Sequence, residues 1–479
     1  NNSNMDKSKV IKIAIAVILS LLAWLAPADV FGIPGLTVIE QRIIAIFIFA
    51  ALMWIFEAIP IWTTSVLIMA ILLLTVSDSM FAPFIGEGES FGLAISHKSI
   101  LSAWADPIVM LFMGGFALAI AATSTGLDLN IARVMLKPFG TKSEMILMGF
   151  MLVTAVLSMF MSNTATSAMM LAIVAPVIRL LPPEGKGRTA IVMAVPIAAN
   201  VGGIGTPIGT PPNAIALRYL NQAMPDSEIG FGQWMMVMIP FVIVLLAISW
   251  FLLLKFFPFT QKTIELKIDG EFRKDKKAII VYVTFAVTVL LWLCDKFTHI
   301  NANIVAFIPL TVFCVTGIIG VRELKEINWD VLWLVAGGFA LGVGLDKSGL
   351  ANHIIEAIPF DSWEPWVVVA AGGLICYSMS TFMSNTASAA LLVPILTTIA
   401  IGMGDSLKSL GGPITMLLGI AISASLAMAL PISTPPNALA HATGHIKQSE
   451  MAKVGIIVGL VGLVLGYALL IFVTQVGIF

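Results

Sequence analysis

The residues best suited to chemistry in this 479-residue chain are uncharged, and they come in two copies. SMFMSNTA at Ser158 to Ala165 recurs as STFMSNTA at Ser380 to Ala387, differing only at Met159 and Thr381. GTPIGTPPN at Gly205 to Asn213 is echoed by LPISTPPN at Leu430 to Asn437. Each Ser-Asn-Thr falls where one apolar run ends and another begins. A turn there exposes amide N–H groups at a helix N-terminus, together with two hydroxyls and a carboxamide. Such a tip holds an anion without a fixed cation, because the helix dipole and free amides favour negative charge. In the second block, paired prolines remove donors and clash with the preceding turn, so the helix must break and leave carbonyl oxygens free. Carbonyl, hydroxyl and carboxamide oxygens are the ligands that sodium takes at broken membrane helices.

Two cation sites follow, one per copy. Ser158, Ser162, Asn163 and the backbone near Gly209 would form the first, and Ser380, Ser384, Asn385 and the backbone near Ser433 the second. A substrate between them would meet Ser162, Asn163 and Thr164 from one side and Ser384, Asn385 and Thr386 from the other. Facing anion cradles suit a molecule with a carboxylate at each end. The expected site holds no Lys, Arg, Asp or Glu, which argues against a relay of ionisable residues and leaves bound cations to offset the anion's charge. A lone Ser or Asn in a membrane helix is usually interhelical glue; two such tips in register, each paired with a break, are not explained that way.

The elements that must hold these tips are membrane helices. Hydrophobic residues make up 59% and charged residues 11%, against about 45–50% and about 25% in soluble domains. Crossing a bilayer takes about 20 helical residues. The spans read as Val10–Ala26, Ile39–Phe56, Ile61–Val76, Pro107–Thr125, Ala190–Leu220 (broken), Trp234–Phe257, Ala278–Leu293, Ile304–Gly320, Val331–Leu345, Pro413–Ala440 (broken) and Val454–Val473. Glu144–Leu181 and Pro365–Ile401 carry polar centres and read as re-entrant hairpins. The fold class is therefore an all-α polytopic membrane protein of about 11 transmembrane helices plus two re-entrant hairpins. Val10–Ala26 follows Lys7 and Lys9 but leads to no convincing cleavage site, and reads as an uncleaved first span.

Cytoplasmic loops carry the excess of Lys and Arg. With the N-terminus inside, only Arg42, Lys98, Arg218, Lys296, Lys347 and Lys408 of the 26 fall outside. Reading either hairpin as a full crossing would invert every later loop and spoil that count. GGFAL at Gly114–Leu118 recurs at Gly337–Leu341, and Gly126-Leu127 at Gly349-Leu350, so whole blocks repeat in order. An odd number of crossings separates equivalent points, so the second copy is inverted, as in transporters built from inverted repeats. The expected organisation is a tail at 1–9, a first span at 10–38, repeat 1 at 39–257, a cytoplasmic linker at 258–277 and repeat 2 at 278–479. The Gly-Gly pairs read as close helix packing. Glu57, Asp106 and Asp330 read as interfacial or capping residues, and His441 and His445 lack the glutamate of a zinc-protease motif.

Paired Ser-Asn-Thr tips, each followed by a TPPN break, resemble the divalent-anion/sodium symporter family, the sodium-coupled dicarboxylate, citrate and sulfate transporters. FEAIPIWTTSVL at Phe56–Leu67 is similar to that family's second-to-third span junction. The resemblance implies a homodimer whose scaffold domain carries a transport domain that moves as an elevator. It implies sodium site 1 at Ser158, Ser162, Asn163 and Gly209, and sodium site 2 at Ser380, Ser384, Asn385 and Ser433. The substrate clamp it implies is both triplets, with Pro211 and Pro435 nearby. Sodium-independent exchangers of the family carry basic residues at the sodium sites; none is present here.

The expectation is a sodium-driven C4-dicarboxylate symporter of a bacterial cytoplasmic membrane, multi-pass, with its N-terminus cytoplasmic. Citrate or sulfate symport and sodium-independent dicarboxylate exchange stay open. A net charge of -1 gives no basic field for nucleic acid. An intramembrane hydrolase needs a nucleophile beside a base, and no His or Lys neighbours either triplet in sequence, so the chain does not read as an enzyme.

Overall fold

Helix ends decide the architecture. The computed structural model describes residues 2–479, and side-chain surroundings from residue 7 onward. The main helices are α1 (Asn2–Leu25), α2 (Val38–Phe56), α3 (Ile61–Thr75), α4 (Pro107–Thr125), α5 (Leu127–Leu136), α6 (Ser143–Phe160), α7 (Asn163–Leu180), α8 (Gly187–Gly202), α9 (Pro211–Ala223) and α10 (Phe231–Phe256). They continue as α11 (Lys276–Leu293), α12 (Phe307–Val315), α13 (Trp329–Lys347), α14 (Leu350–Ala357), α15 (Pro365–Phe382), α16 (Asn385–Met403), α17 (Gly412–Leu426), α18 (Pro435–Ala442) and α19 (Gln448–Gln475). Among the described residues there is no strand, only two isolated bridges. Among the described residues, twelve helices are long and apolar enough to cross a membrane, and three shorter apolar ones accompany them. Together these fall on the expected spans and hairpin arms.

Both hairpins have one construction. α6 ends at Phe160, Met161 and Ser162 are extended, and α7 begins at Asn163 with Ser162 as its N-cap. α15 and α16 repeat this around Met383 and Ser384. Both arms of the first hairpin lie along α8, and both arms of the second along α17, so each pair of arms stands side by side. α4 and α13 run into Gly126 and Gly349, whose φ of 70° and 86° lie in the left-handed region that glycine tolerates. The chain then enters α5 and α14, short helices at equivalent places in the two repeats that the sequence reading did not assign.

The two repeats exchange helices. α9 of the first repeat packs on α16 and α17, while α18 of the second packs on α7 and α8. The hairpins, α8 to α10 and α17 to α19 thus form one packing group, and α1 to α4 with α11 to α13 form another. A Cβ on Gly114 would stand 2.3 Å from the Ala306 carbonyl, and one on Gly337 2.4 Å from Ser65 Cβ. Gly114 and Gly337 are thus close-packing points within the second-named group, while a Cβ on Gly338 would stand 2.6 Å from Ala390 Cβ of α16, in the other group.

Several expectations need correction. α1 begins at Asn2, ahead of the span expected from Val10. α12 ends at Val315, short of Gly320, because the chain turns at Gly317 with a φ of 68°. In the 258–277 segment, Lys262 O accepts from Ser143 N at 3.0 Å and Ile264 N donates to Thr141 O at 2.8 Å, fastening it across the entry to α6. The prolines of TPPN do not break their helices. α8 has already ended at Gly202, and Pro211 and Pro212 open α9, where a missing N–H costs nothing; Pro435 and Pro436 open α18 in the same way.

Candidate functional site

Each Ser-Asn-Thr begins a long helix whose first amides have no intrahelical acceptor. Ser162 Oγ accepts from Ala165 N at 3.1 Å, and Ser384 Oγ accepts from Ala387 N at 3.4 Å. Capping uses a lone pair of the hydroxyl and leaves its proton free to donate outward. The amides of Asn163, Thr164, Asn385 and Thr386 add to the same positive pole. These six residues line a single cavity of about 970 Å³, together with Gly209, Pro211, Ser433 and Pro435. The expected substrate residues are therefore brought together, within the size range of small-molecule clefts.

Behind the first tip, oxygens converge. Ser158 Oγ is buried, with Asn163 Oδ1 and the Ala199 carbonyl, at 2.9 Å, both within reach. A hydroxyl has one proton, and the Ala199 carbonyl already accepts from Gly203 N, so Asn163 Oδ1 is the oxygen left short when Ser158 turns to Ala199, an arrangement that a cation would relieve. A Cβ on Gly203 would meet Asn163 Oδ1 at 2.8 Å, and one on Gly209 would meet the Gly203 carbonyl at 2.2 Å. Only glycine lets this loop close on the tip.

The second tip differs in detail. Asn385 Oδ1 is buried without a hydrogen-bond partner; an acceptor so placed suits a cation. Ser380 is fully buried in α15, its hydroxyl 3.9 Å from Cys376 Sγ. Ser433 Oγ donates to the Thr381 carbonyl at 2.7 Å and accepts from Leu430 N at 3.0 Å. The Ser433 hydroxyl thus ties its turn to the hairpin arm. Neither Ser158 nor Ser380 reaches the cavity; both stand behind the tips. Carbonyl, hydroxyl and carboxamide oxygens suit a hard monovalent cation at both places.

Some carbonyls expected to be free are not. Asn213 Nδ2 donates to the Gly203 and Thr206 carbonyls, each at 2.9 Å. Asn437 Nδ2 donates to the Met428 and Leu430 carbonyls at 2.8 and 3.0 Å. The last residue of each TPPN therefore holds its unwound segment together. Thr210, Thr434 and Asn200 also line the cavity. Both threonines and Asn213 and Asn437 stood in the motif already recognised, whereas Asn200 carried no motif signal.

The expected absence of ionisable groups is overturned. Glu57 and Asp330 also line the cavity, with Trp62, Phe112, Phe116 and Asn328, and Glu57 lies against the second tip, at the Ser384 amide. Glu57 ends α2 in the left-handed region, φ 45°, after which Pro60 opens the way into α3. Desolvation raises its carboxyl above the ordinary range, opposed by the Ser384 amide and the Lys12 ammonium. Asp330 sits in the first turn of α13, where a carboxylate favours the helix dipole. These positions lie far from the motifs in sequence, so only the fold could bring them to the cavity. An anion at the second tip would share the Ser384 amide with the Glu57 carboxylate. Asp106 does cap α4, accepting from Ile108 N at 2.9 Å, and also pairs with Arg218 Nε at 2.8 Å.

The sequence profile of the sodium:sulfate symporter transmembrane region matches residues 7–476. A sodium-dependent dicarboxylate transporter, SdcS, of Staphylococcus saprophyticus is 31% identical over 97% of this chain and 92% of its own length. That of Staphylococcus aureus is 32% identical over 88% of this chain and 84% of its own. Among solved structures, the YdaH transporter of Alcanivorax borkumensis matches with a TM-score of 0.55 at 11% identity, covering 79% of this chain and 88% of that one. MtrF of Neisseria gonorrhoeae matches at 0.53 and 14% identity, covering 86% and 94%. At such low identity the two structures speak for the fold alone.

Proposed function

Because the chain belongs to the sodium:sulfate symporter family, we propose that it moves a C4-dicarboxylate such as succinate into the cell together with sodium. It is a multi-pass membrane transporter of the sodium-coupled dicarboxylate kind, with sodium as its coupling ion. The narrower reading is supported by one observation above all: two helix N-termini facing one cavity, with Asn163 Oδ1 sharing the single proton of Ser158 at the first and Asn385 Oδ1 buried without a partner at the second. In it, Ser162, Asn163 and Thr164 take one carboxylate and Ser384, Asn385 and Thr386 the other, with Pro211 and Pro435 beside them. Sodium binds at Ser158, Ser162, Asn163 and Gly209, and at Ser380, Ser384, Asn385 and Ser433. Succinate, citrate and sulfate competing in one uptake assay at several sodium concentrations test the substrate; preference for sulfate or citrate would overturn the C4 assignment.

We extend the proposal to an elevator in a homodimer, in the bacterial cytoplasmic membrane with the N-terminus cytoplasmic. The group holding both tips is the mobile one and the other the scaffold. The repeats then lie inverted and both hairpins re-enter from the side they left. Glu57 and Asp330 stand at the ends of α3 and α13 opposite to the end of α4 that Asp106 caps. The Asp106–Arg218 pair, part-buried and covered by Phe339 at 4.2 Å from the guanidinium, joins the two groups on the side away from those carboxylates. Breaking it should loosen that closure. In Asp106→Asn the population of conformers should shift about tenfold, some 1.4 kcal/mol. Spin labels at Leu101 and Asp226 would report it as a second, longer distance; a distribution matching the wild type would rule out the latch.

A further inference from the structure

The exchange of helices between repeats brings together two hydrogen-bonded contacts that mirror one another. Asn200, near the end of α8, donates from Nδ2 to Thr434 Oγ1 at 3.1 Å and to Asn437 Oδ1 at 3.3 Å. Ser425, near the end of α17, stands with its hydroxyl 3.3 Å from Thr210 Oγ1. Each contact joins the helix before one repeat's break to the threonine that ends the other repeat's break. All of these side chains are buried, Asn200 at 1% and Ser425 at 2% exposure. Equivalent positions of two inverted copies thus reach across to each other, as in an isologous interface.

Both contacts lead directly to the candidate sodium oxygens. The carbonyl of Ala199, the residue before Asn200, faces Ser158 Oγ. Thr210 follows Gly209. On the other side, Asn437 fixes the Leu430 carbonyl, and Leu430 N donates to Ser433 Oγ. We propose that Asn200 and Ser425 are positioning residues that couple the two sodium sites, so that filling one favours filling the other. The proposal rests on the two-site reading above. A cation that draws Ser158, Asn163 and the Ala199 carbonyl together fixes the end of α8. Asn200 then holds Thr434 and Asn437 in the geometry that presents the second site. The Ser425–Thr210 contact carries the same effect in reverse, as reciprocity of a coupling free energy requires. Buried hydrogen bonds in a low-dielectric interior are strong enough to transmit it.

Sodium titration of the full-length protein in lipid nanodiscs, without dicarboxylate, tests this through radiolabelled sodium binding. The wild type should bind about two sodium ions per chain with a Hill coefficient well above one, approaching ~2. Ser425→Ala should keep that stoichiometry while the Hill coefficient falls to about 1. Ser425→Thr retains a hydroxyl and should retain the wild-type value. An unchanged Hill coefficient in Ser425→Ala would overturn the coupling, as would one lost equally in Ser425→Thr, which would indicate packing rather than the hydrogen bond. Asn200→Ser provides the second variant and should give the same loss. A wild type that binds two ions without cooperativity overturns the coupling alone; one that binds none overturns the two-site reading beneath it.

Discussion

Asn385→Ala should lower sodium-driven dicarboxylate uptake at least tenfold, and Asn163→Ala should do the same. Each carboxamide stands at a helix N-terminus in the cavity wall, and its oxygen faces the pocket behind the tip. An alanine keeps the helix start and the neighbouring amides, so the loss falls on ligand oxygens rather than on the fold. The two variants should differ without sodium. Asn385 Oδ1 is a buried orphan, and deleting an unsatisfied acceptor removes a desolvation cost of about 1–3 kcal/mol. Asn385→Ala should therefore melt no lower than the wild type in sodium-free buffer, yet lose the stabilisation that added sodium gives. Asn163→Ala also loses its contact with Ser158 and should melt lower. Wild-type uptake by both variants would remove the triplets from the site.

The second large effect concerns Asn213 and Asn437, whose role is to hold the breaks. Each side chain satisfies two buried carbonyls at 2.8 to 3.0 Å. Replacing either by alanine strands both, at about 1–3 kcal/mol each, in a segment with no regular helix to fall back on. Asn437→Ala should lower the melting temperature by several degrees and abolish the sodium-dependent rise. Its serine variant should recover part of both, since a hydroxyl can still satisfy one carbonyl. A melting temperature within a degree or so of the wild type would show that the breaks do not depend on these carboxamides.

How far the sequence could go depended on whether a feature was local. The Ser-Asn-Thr tips were legible because a capping serine, a polar turn and an apolar run are consecutive residues. The repeat was legible because its blocks are nearly identical. The prolines misled, because TPPN marks the start of the second half-helix and not the cause of the break. α5 and α14 were missed because short amphipathic helices do not stand out among long apolar runs. Glu57 and Asp330 read as residues at span ends, and they stand there. Their presence at the cavity comes from packing between distant segments, which no local pattern records. The same holds for Asn200 and Ser425, whose partners lie in the other repeat.

The carboxylates that line the cavity sharpen its electrostatics. With two acidic side chains and no Lys or Arg among the residues lining the cavity, a dianion has only helix ends, hydroxyls and amides to balance its charge. Bound cations must supply the rest, so the anion should bind poorly without them. Uptake of labelled succinate into proteoliposomes, with and without an inward sodium gradient, tests this most directly. The account predicts uptake that rises steeply with sodium and disappears when choline replaces it. Uptake of equal rate and extent in choline would contradict it.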